Sequence, residues 1–205
     1  MAARCLPAKQ VGGDFYDWQQ VSPAVFNLTL GDVMGKGMAA AMLMATVRAA
    51  LHAVTLFNRP AQAVHLAERA LNDDLENSES FVTLFHAQLD AKSRTLAFVD
   101  CGHGYVFIRR ATGEVETLSP RGLPLGVQAE VYQEGTVRFK KGDVMVLYSD
   151  GLIDAKPQLE LTHEQLAQRL EGKDSAQEMV ESLIALTEKP DPQPDDITVL
   201  VLRAH

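Results

Sequence analysis

The sequence predicts an α+β fold of two antiparallel sheets covered by helix pairs. Three observations carry this: strand-period segments crowd between residues 81 and 148, helix-period segments fall in pairs on either side of that block, and one β-branched strand closes the chain. Strands alternating with helices, which would signal a parallel sheet, are not the pattern. With 205 residues and 46% hydrophobic content the chain is ample for one core and short for two, so a single domain over residues 1–205 is expected.

Taken in order, residues 15–18 end a first strand before the turn residues Ser22 and Pro23, and residues 25–30 form the next. Residues 38–52 read as a helix that is apolar nearly all round, with Arg48 its charged residue; such a helix is buried on several sides or covered by a partner. Residues 61–77 form an amphipathic helix, with Val64, Ala67, Leu71 and Leu75 on one stripe and Glu68, Arg69, Asp73 and Glu76 away from it. The period then changes to two. Strands are expected at 81–89, 95–100, 105–109, 114–118, 131–139 and 144–148, parted by turn signals such as "ATG" and "KKGD". Thr162 stands three residues before Gln165 and Ser175 three before Glu178, two capping boxes that open two helices separated by Gly172. The proline-rich loop "KPDPQPDD" leads to a last strand at 197–202.

A formal charge of −8 with no Lys/Arg cluster argues against a protein that grips nucleic acid through its phosphates. Two cysteines, Cys5 and Cys101, make no disulfide framework, and a reducing cytoplasm is the expected compartment. The start "MAARCLPAKQ" has no apolar signal region and no apolar run reaches about 18 residues, so neither a signal peptide nor membrane insertion is expected.

Four acidic sites share one context, a strand end beside glycine or another acid: Asp14 in "VGGDFYD", Asp32 in "LGDVMGKG", Asp150 in "YSDGL", and Asp195 with Asp196 in "PDDITV". A carboxylate at the end of a buried strand loses hydration, at a cost that a cation, a donor or solvent must offset. Each aspartate alone reads equally as a turn or cap residue. Together they suit a hard divalent cation, which takes oxygen ligands and keeps several waters, and the adjacent glycines let backbone approach an ion closely. Ser149 with His103 and Asp150 invites a serine-hydrolase reading, but the G-x-S-x-G elbow is missing. Cys101, close to His103, reads as a buried structural thiol.

The segments "VGGDFYD", "GDVMGKGMAAAM", "GLPLG", "VLYSDGLIDA" and "DDITVLVL" occur in the order seen in the bacterial SpoIIE/RsbU-type branch of the PP2C (PPM) serine/threonine phosphatases, which the chain resembles over nearly its whole length. The resemblance implies a four-layer αββα sandwich in which two Mn²⁺ or Mg²⁺ ions activate a bridging water for attack on phosphoserine or phosphothreonine. It implies that Asp32 bridges both ions, the Val33 carbonyl holds one, Asp150 and Asp195 bind the other, and Asp14 acts on coordinated water. Asp14, Asp32 and Asp150 are thus the expected catalytic set. Asp17 and Asp196 are either acceptors behind the ligands or solvated neighbours, the latter being preferred. Met34 stands where eukaryotic-type members carry a histidine, and a thioether cannot protonate a leaving group. His103 in "CGHGYVF" is the candidate replacement, with a turn role as the alternative. Lys36 in "MGKG" either meets substrate phosphate or neutralises an acidic loop.

The resemblance further implies a phosphorylated STAS-domain substrate and an upstream sensor or receiver module, with a homodimer left open. The chain is accordingly expected to be a piece of a longer regulatory protein. A catalytically weak or inactive signalling or interaction module of the same fold is the alternative.

Overall fold

The computed structural model describes residues 1–127, 131–187 and 193–205; the first half of the proline-rich loop lies outside the described residues. In chain order the elements are β1 (Ala2–Leu6), β2 (Phe15–Ser22), β3 (Val25–Val33), α1 (Met38–Thr55), α2 (Pro60–Asn77), β4 (Val82–Asp90), β5 (Thr95–Cys101), β6 (Val106–Arg109), β7 (Val115–Thr117), β8 (Gly135–Arg138), β9 (Val144–Tyr148), α3 (Gly151–Asp154), α4 (His163–Gln168), α5 (Ala176–Ile184) and β10 (Ile197–Arg203). They form two compact units. A middle unit holds residues 11–104 and 119–139, and a terminal unit holds residues 1–10, 105–118 and 140–205.

In the middle unit the strands are ordered β2-β3-β4-β5-β8, each antiparallel to its neighbour. One sheet face carries Phe15, Leu84, Val99 and Cys101, which pack with Val47 and Leu51 of α1 and with Val64, Ala67, Leu71 and Leu75 of α2. The stripe predicted for α2 is therefore its buried face. Burying each of Val64, Leu71 and Leu75 contributes roughly 1.5–3 kcal/mol. Glu68 departs from the pattern: placed by periodicity on the solvated side, it is buried, and its carboxylate accepts the Tyr132 hydroxyl at 2.8 Å.

The terminal unit has strand order β1-β10-β9-β6-β7, again wholly antiparallel. Val144, Val146 and Tyr148 share a face with Val199, Val201 and Phe107, and that face packs with Leu166 of α4 and with Met179, Val180 and Leu183 of α5. Both predicted capping boxes are present, Thr162 with Gln165 and Ser175 with Glu178. Strand β1 has no predictive signal of its own; it forms by pairing with β10, Ala2 with Val201 through Leu6 with Ile197. The strand expected at 131–139 is confined to Gly135–Arg138.

Helix α1 is less buried within the chain than its composition suggests, and it runs on to Thr55. Only Ala40, Val47, Leu51 and Thr55 are buried, and Met38 and Met42 are each 67% exposed. Its 18 residues have a mean hydropathy of 1.4, enough by length and composition to cross a bilayer, although the core helix of a soluble protein meets the same measure. The polar residues that the sheet presents to α1 explain part of its register. Asp17 of β2 accepts from Arg48 Nε and bonds His52 Nδ1, each at 3.1 Å, while Thr55 donates to Gln19 and its carbonyl accepts from Asn27.

The same cross-strand row runs Asp17, Thr29, His86. His86 is fully buried, bonds the Thr29 hydroxyl at 2.8 Å through Nδ1, and has its pKa lowered to about 4 by burial. The unfolded chain, with histidine near 6.5, binds the extra proton between these values. Stability from this group is therefore complete above about pH 6.5 and is lost as pH falls toward 4, by on the order of 3 kcal/mol. Denaturant titrations at pH 4.5 and 7 should show a smaller stability difference for His86→Gln than for the unsubstituted chain; an equal difference would contradict this account.

Candidate metal centre

In the middle unit the ends of β2 and β3 are held together by glycines. Phe15 pairs with Gly31, and a Cβ on Gly31 would stand 2.6 Å from the Phe15 ring. Extending that register by one residue sets Asp14 opposite Asp32, and by two sets Gly13 opposite Val33, whose N–H donates to the Gly13 carbonyl at 3.4 Å. A Cβ on Gly13 would lie 2.5 Å from the Val33 carbonyl oxygen. Backbone thus packs on backbone where two aspartates meet. Opposite residues of an antiparallel pair share a face, so Asp14, Asp32 and Thr83 of β4 form one row. Asp14 is buried and Asp32 half-buried. The chain then turns through Gly35 and Gly37, both at positive φ, into α1, leaving Met34 and Lys36 exposed.

In the terminal unit a second glycine makes a comparable contact. Strand β9 ends at Tyr148, and Asp150 occupies the N-cap position of α3 without capping it through its side chain. A Cβ on Gly151 would fall 2.0 Å from the Asp196 carbonyl oxygen and 3.4 Å from the Asp195 Cβ. Asp150 and Asp195 are therefore brought to the same corner of this unit. Asp195 Oδ1 accepts the Asp196 N–H at 2.9 Å, and the Asp195 carbonyl accepts from Gln193 at 2.6 Å.

The remaining candidates separate by what they touch. Asp196 is buried, its Oδ1 accepting the Ala8 N–H at 2.7 Å, so it anchors the N-terminal segment and is not a solvated neighbour. Asp17 lies three residues from Asp14, an odd spacing that turns it to the opposite sheet face, where Arg48 and His52 hold it. Ser149 is no nucleophile in waiting: its hydroxyl donates to the Asp196 carbonyl at 3.3 Å and accepts the Thr198 N–H at 2.9 Å. Cys101 is buried, as expected. His103 is buried, and its backbone N–H donates to Asp100 at 2.8 Å.

Among the described residues no group of three or more His, Cys, Asp and Glu stands ready to hold a metal ion. What each unit supplies is a pair of aspartates next to a close glycine–carbonyl contact: Asp14 and Asp32 beside the Val33 carbonyl in one, Asp150 and Asp195 in the other. These are hard oxygen donors of the kind Mn²⁺ and Mg²⁺ take, so the donor set fits. Sequence reasoning missed two further residues, Asp100 and Arg121. Asp100 carried the same strand-end signal as the other aspartates, ahead of "CGHG". Arg121 immediately precedes the "GLPLG" segment.

Residues 22–205 match the family model described as Stage II sporulation protein E (SpoIIE). Phosphoserine phosphatase RsbU of Bacillus subtilis is 28% identical over 212 residues, covering 99% of this chain and 62% of that protein, so the chain spans less than two thirds of this relative's length. Among solved structures, the SiaA-PP2C domain of Pseudomonas aeruginosa superposes with a TM-score of 0.83 at 22% identity, covering 99% of this chain and 86% of that one. The catalytic domain of the serine/threonine phosphatase PstP, solved with two manganese ions, gives a TM-score of 0.74 at 20% identity, covering 98% and 95%.

Adding a methyl group at either backbone contact forces carbonyl and glycine apart. Gly13→Ala and Gly151→Ala are each expected to lower stability by about 1–3 kcal/mol. Urea denaturation checks this, and an unchanged midpoint for Gly151→Ala would show that the corner at Asp195 and Asp196 is not tightly packed.

Proposed function

The chain belongs to the SpoIIE family of PP2C-type serine/threonine phosphatases, and we propose that it hydrolyses phosphoserine or phosphothreonine on a protein substrate with the help of divalent metal. The observation that carries this reading is the pair of glycine contacts where backbone packs on backbone, one setting Asp14 and Asp32 beside the Val33 carbonyl and the other setting Asp150 beside Asp195. The similarity to a phosphoserine phosphatase, and a fold neighbour solved with two manganese ions, support it.

In this proposal Asp32, the Val33 carbonyl, Asp150 and Asp195 hold Mn²⁺ or Mg²⁺, with two ions expected from the family. A bound divalent cation supplies a more acidic water and neutralises charge on the phosphoryl group. Asp14, opposite Asp32 and largely shielded from bulk solvent, orients and accepts a proton from the attacking water. Lys36, exposed on the loop after Val33, adds a positive charge toward an anionic substrate. His103 holds the turn through its backbone N–H, which donates to Asp100, and its buried imidazole keeps the proton-donor role proposed from the resemblance. Asp17 and Asp196 are assigned none in the chemistry, because each has its own partner.

The substrate proposed is a phosphorylated STAS-domain protein in the cytoplasm, with a sensor or receiver module upstream and a homodimer as a further possibility for the full regulatory protein. No role with nucleic acid or in membrane insertion is proposed. One observation favours a second reading, a catalytically weak interaction module of the same fold: no three candidate ligands are grouped among the described residues.

Asp32→Asn and Asp150→Asn should each reduce phosphatase activity by about 100-fold or more while remaining folded, since removing a ligand's charge weakens the ion and its effect on water. Ser149→Ala should keep most activity yet lose about 1–3 kcal/mol of stability, because the Thr198 N–H is left buried without its acceptor. Steady-state assays on a phosphoserine peptide with parallel thermal melts decide the matter. Full activity in folded Asp32→Asn would remove the proposed metal role, and inactivity of every chain would favour the interaction module.

A further inference from the structure

The turn after β5 joins Asp100 to Arg121 at the same end of the sheet as Asp14 and Asp32. Phe85 pairs with Asp100 and Thr83 with Asp32, so Asp100 lies two strands across and two residues along from Asp32, about 12 Å away by strand geometry. The segment after Ser119 lies over this end as a strap: Gly122 donates to the Asp100 carbonyl at 2.7 Å, and Leu125 exchanges both backbone hydrogen bonds with Val82, the residue opposite Val33.

Asp100 is buried, and its carboxylate gathers the N–H groups of His103 at 2.8 Å and Gly104 at 3.1 Å. Burial nevertheless raises its pKa, against the opposing pull of those hydrogen bonds and of Arg121. Arg121 stands over this turn. Its Nη2 donates to the Gly104 carbonyl at 3.0 Å, its Nε is 3.7 Å from Asp100, and its side chain is 45% exposed. Gly104 has a positive φ of 72°, a conformation that suits glycine, and a Cβ there would be in tight contact with Nη1 at 3.3 Å.

A comparison within the same chain shows what a committed arginine does. In the terminal unit Arg110 bonds buried Asp143 directly at 2.7 Å and also bonds Glu116. Asp143 is desolvated too, yet bonds from the Lys140 and Ala111 N–H groups and from Arg110 hold its pKa below the usual carboxylate value. Arg121, by contrast, makes a single hydrogen bond among the described residues and a longer ion pair to Asp100, and its side chain stays 45% exposed. A guanidinium steadied by a carbonyl and a carboxylate, yet partly exposed and with N–H groups to spare, is preorganised to bind a phosphoryl group.

The geometry points to Arg121 as the residue that grips the phosphoryl oxygens of the substrate, with Asp100 and the Gly102–Gly104 turn as its positioning support. This rests on the phosphatase reading, because it names a further substrate-binding residue for that site. It predicts a contact already made in the ground state, so loss falls mainly on KM and on affinity for inorganic phosphate.

The test measures KM and kcat on a phosphoserine peptide, calorimetric affinity for inorganic phosphate, and thermal stability, for the unsubstituted chain, Arg121→Ala and Arg121→Lys. Expected for Arg121→Ala is a rise of about tenfold or more in KM with a matching loss of phosphate affinity, and for folded Arg121→Lys a smaller shift of both, as charge remains but the fork is lost. Lysine also keeps a positive charge near Asp100, so it decides the issue if alanine fails to fold. Lowered melting temperature with KM and phosphate affinity unchanged would overturn the proposal and leave Arg121 as a neutraliser of Asp100. Absence of turnover in the unsubstituted chain would defeat the phosphatase reading, while the phosphate titration would still decide Arg121: equal affinity in the folded chains overturns its role.

Discussion

The approach of glycine backbone to main-chain carbonyls at strand ends is the constraint on which the candidate site depends. Gly13 lies against the Val33 carbonyl and Gly151 against that of Asp196, at separations no side chain tolerates. Each contact constrains the path of an aspartate-bearing segment, because any side chain in place of the glycine would push it away. Each also brings together carboxylates that would otherwise repel one another, a cost acceptable where a cation or a donor network can meet it. The sheets supply the stiffness behind these corners. In the terminal unit β9 is buried along its whole length and β10 along nearly all of it, and in the middle unit β3 is buried from Asn27 to Gly31.

Buried and half-buried carboxylates elsewhere in the chain obey the same accounting, which helps separate chemistry from architecture. Asp196 is satisfied by Ala8, Asp17 by Arg48 and His52, Asp143 by Arg110 and two backbone N–H groups. Those carboxylates have found their counterparts and hold elements in place. Arg121 is the converse case, a cation whose bonding capacity exceeds what its neighbours use. Partner-by-partner comparison therefore singles out residues that exposure alone would not.

Much of this was legible in the sequence because it is local. The stripe of Val64, Ala67, Leu71 and Leu75, the capping boxes at Thr162 and Ser175, and the strand-end aspartates all follow from short-range periodicity and turn chemistry. What failed was non-local. Strand β1 exists through its pairing with β10, some 195 residues later. Glu68 looked solvated by period, but the Tyr132 hydroxyl compensates its burial. The expected all-round burial of α1 fails because its open face mixes Ala39, Ala45, Ala49 and Ala53 with Met38, Met42 and Arg48, and composition alone does not say which apolar residues find a neighbour. Asp17 could have been set apart from Asp14 by strand alternation alone, whereas Arg121 reaches Asp100 only through the pairing of Gly122 with the end of β5, which no local pattern reveals.

Metal-dependent hydrolysis of a phosphoserine peptide by the whole 205-residue chain is the most direct test of the central claim. Turnover should be present with Mn²⁺, disappear after exhaustive chelation, and return when Mn²⁺ is restored in excess of the chelator. Turnover that persists undiminished in the chelated protein would contradict the assignment of the strand-end aspartates as metal ligands.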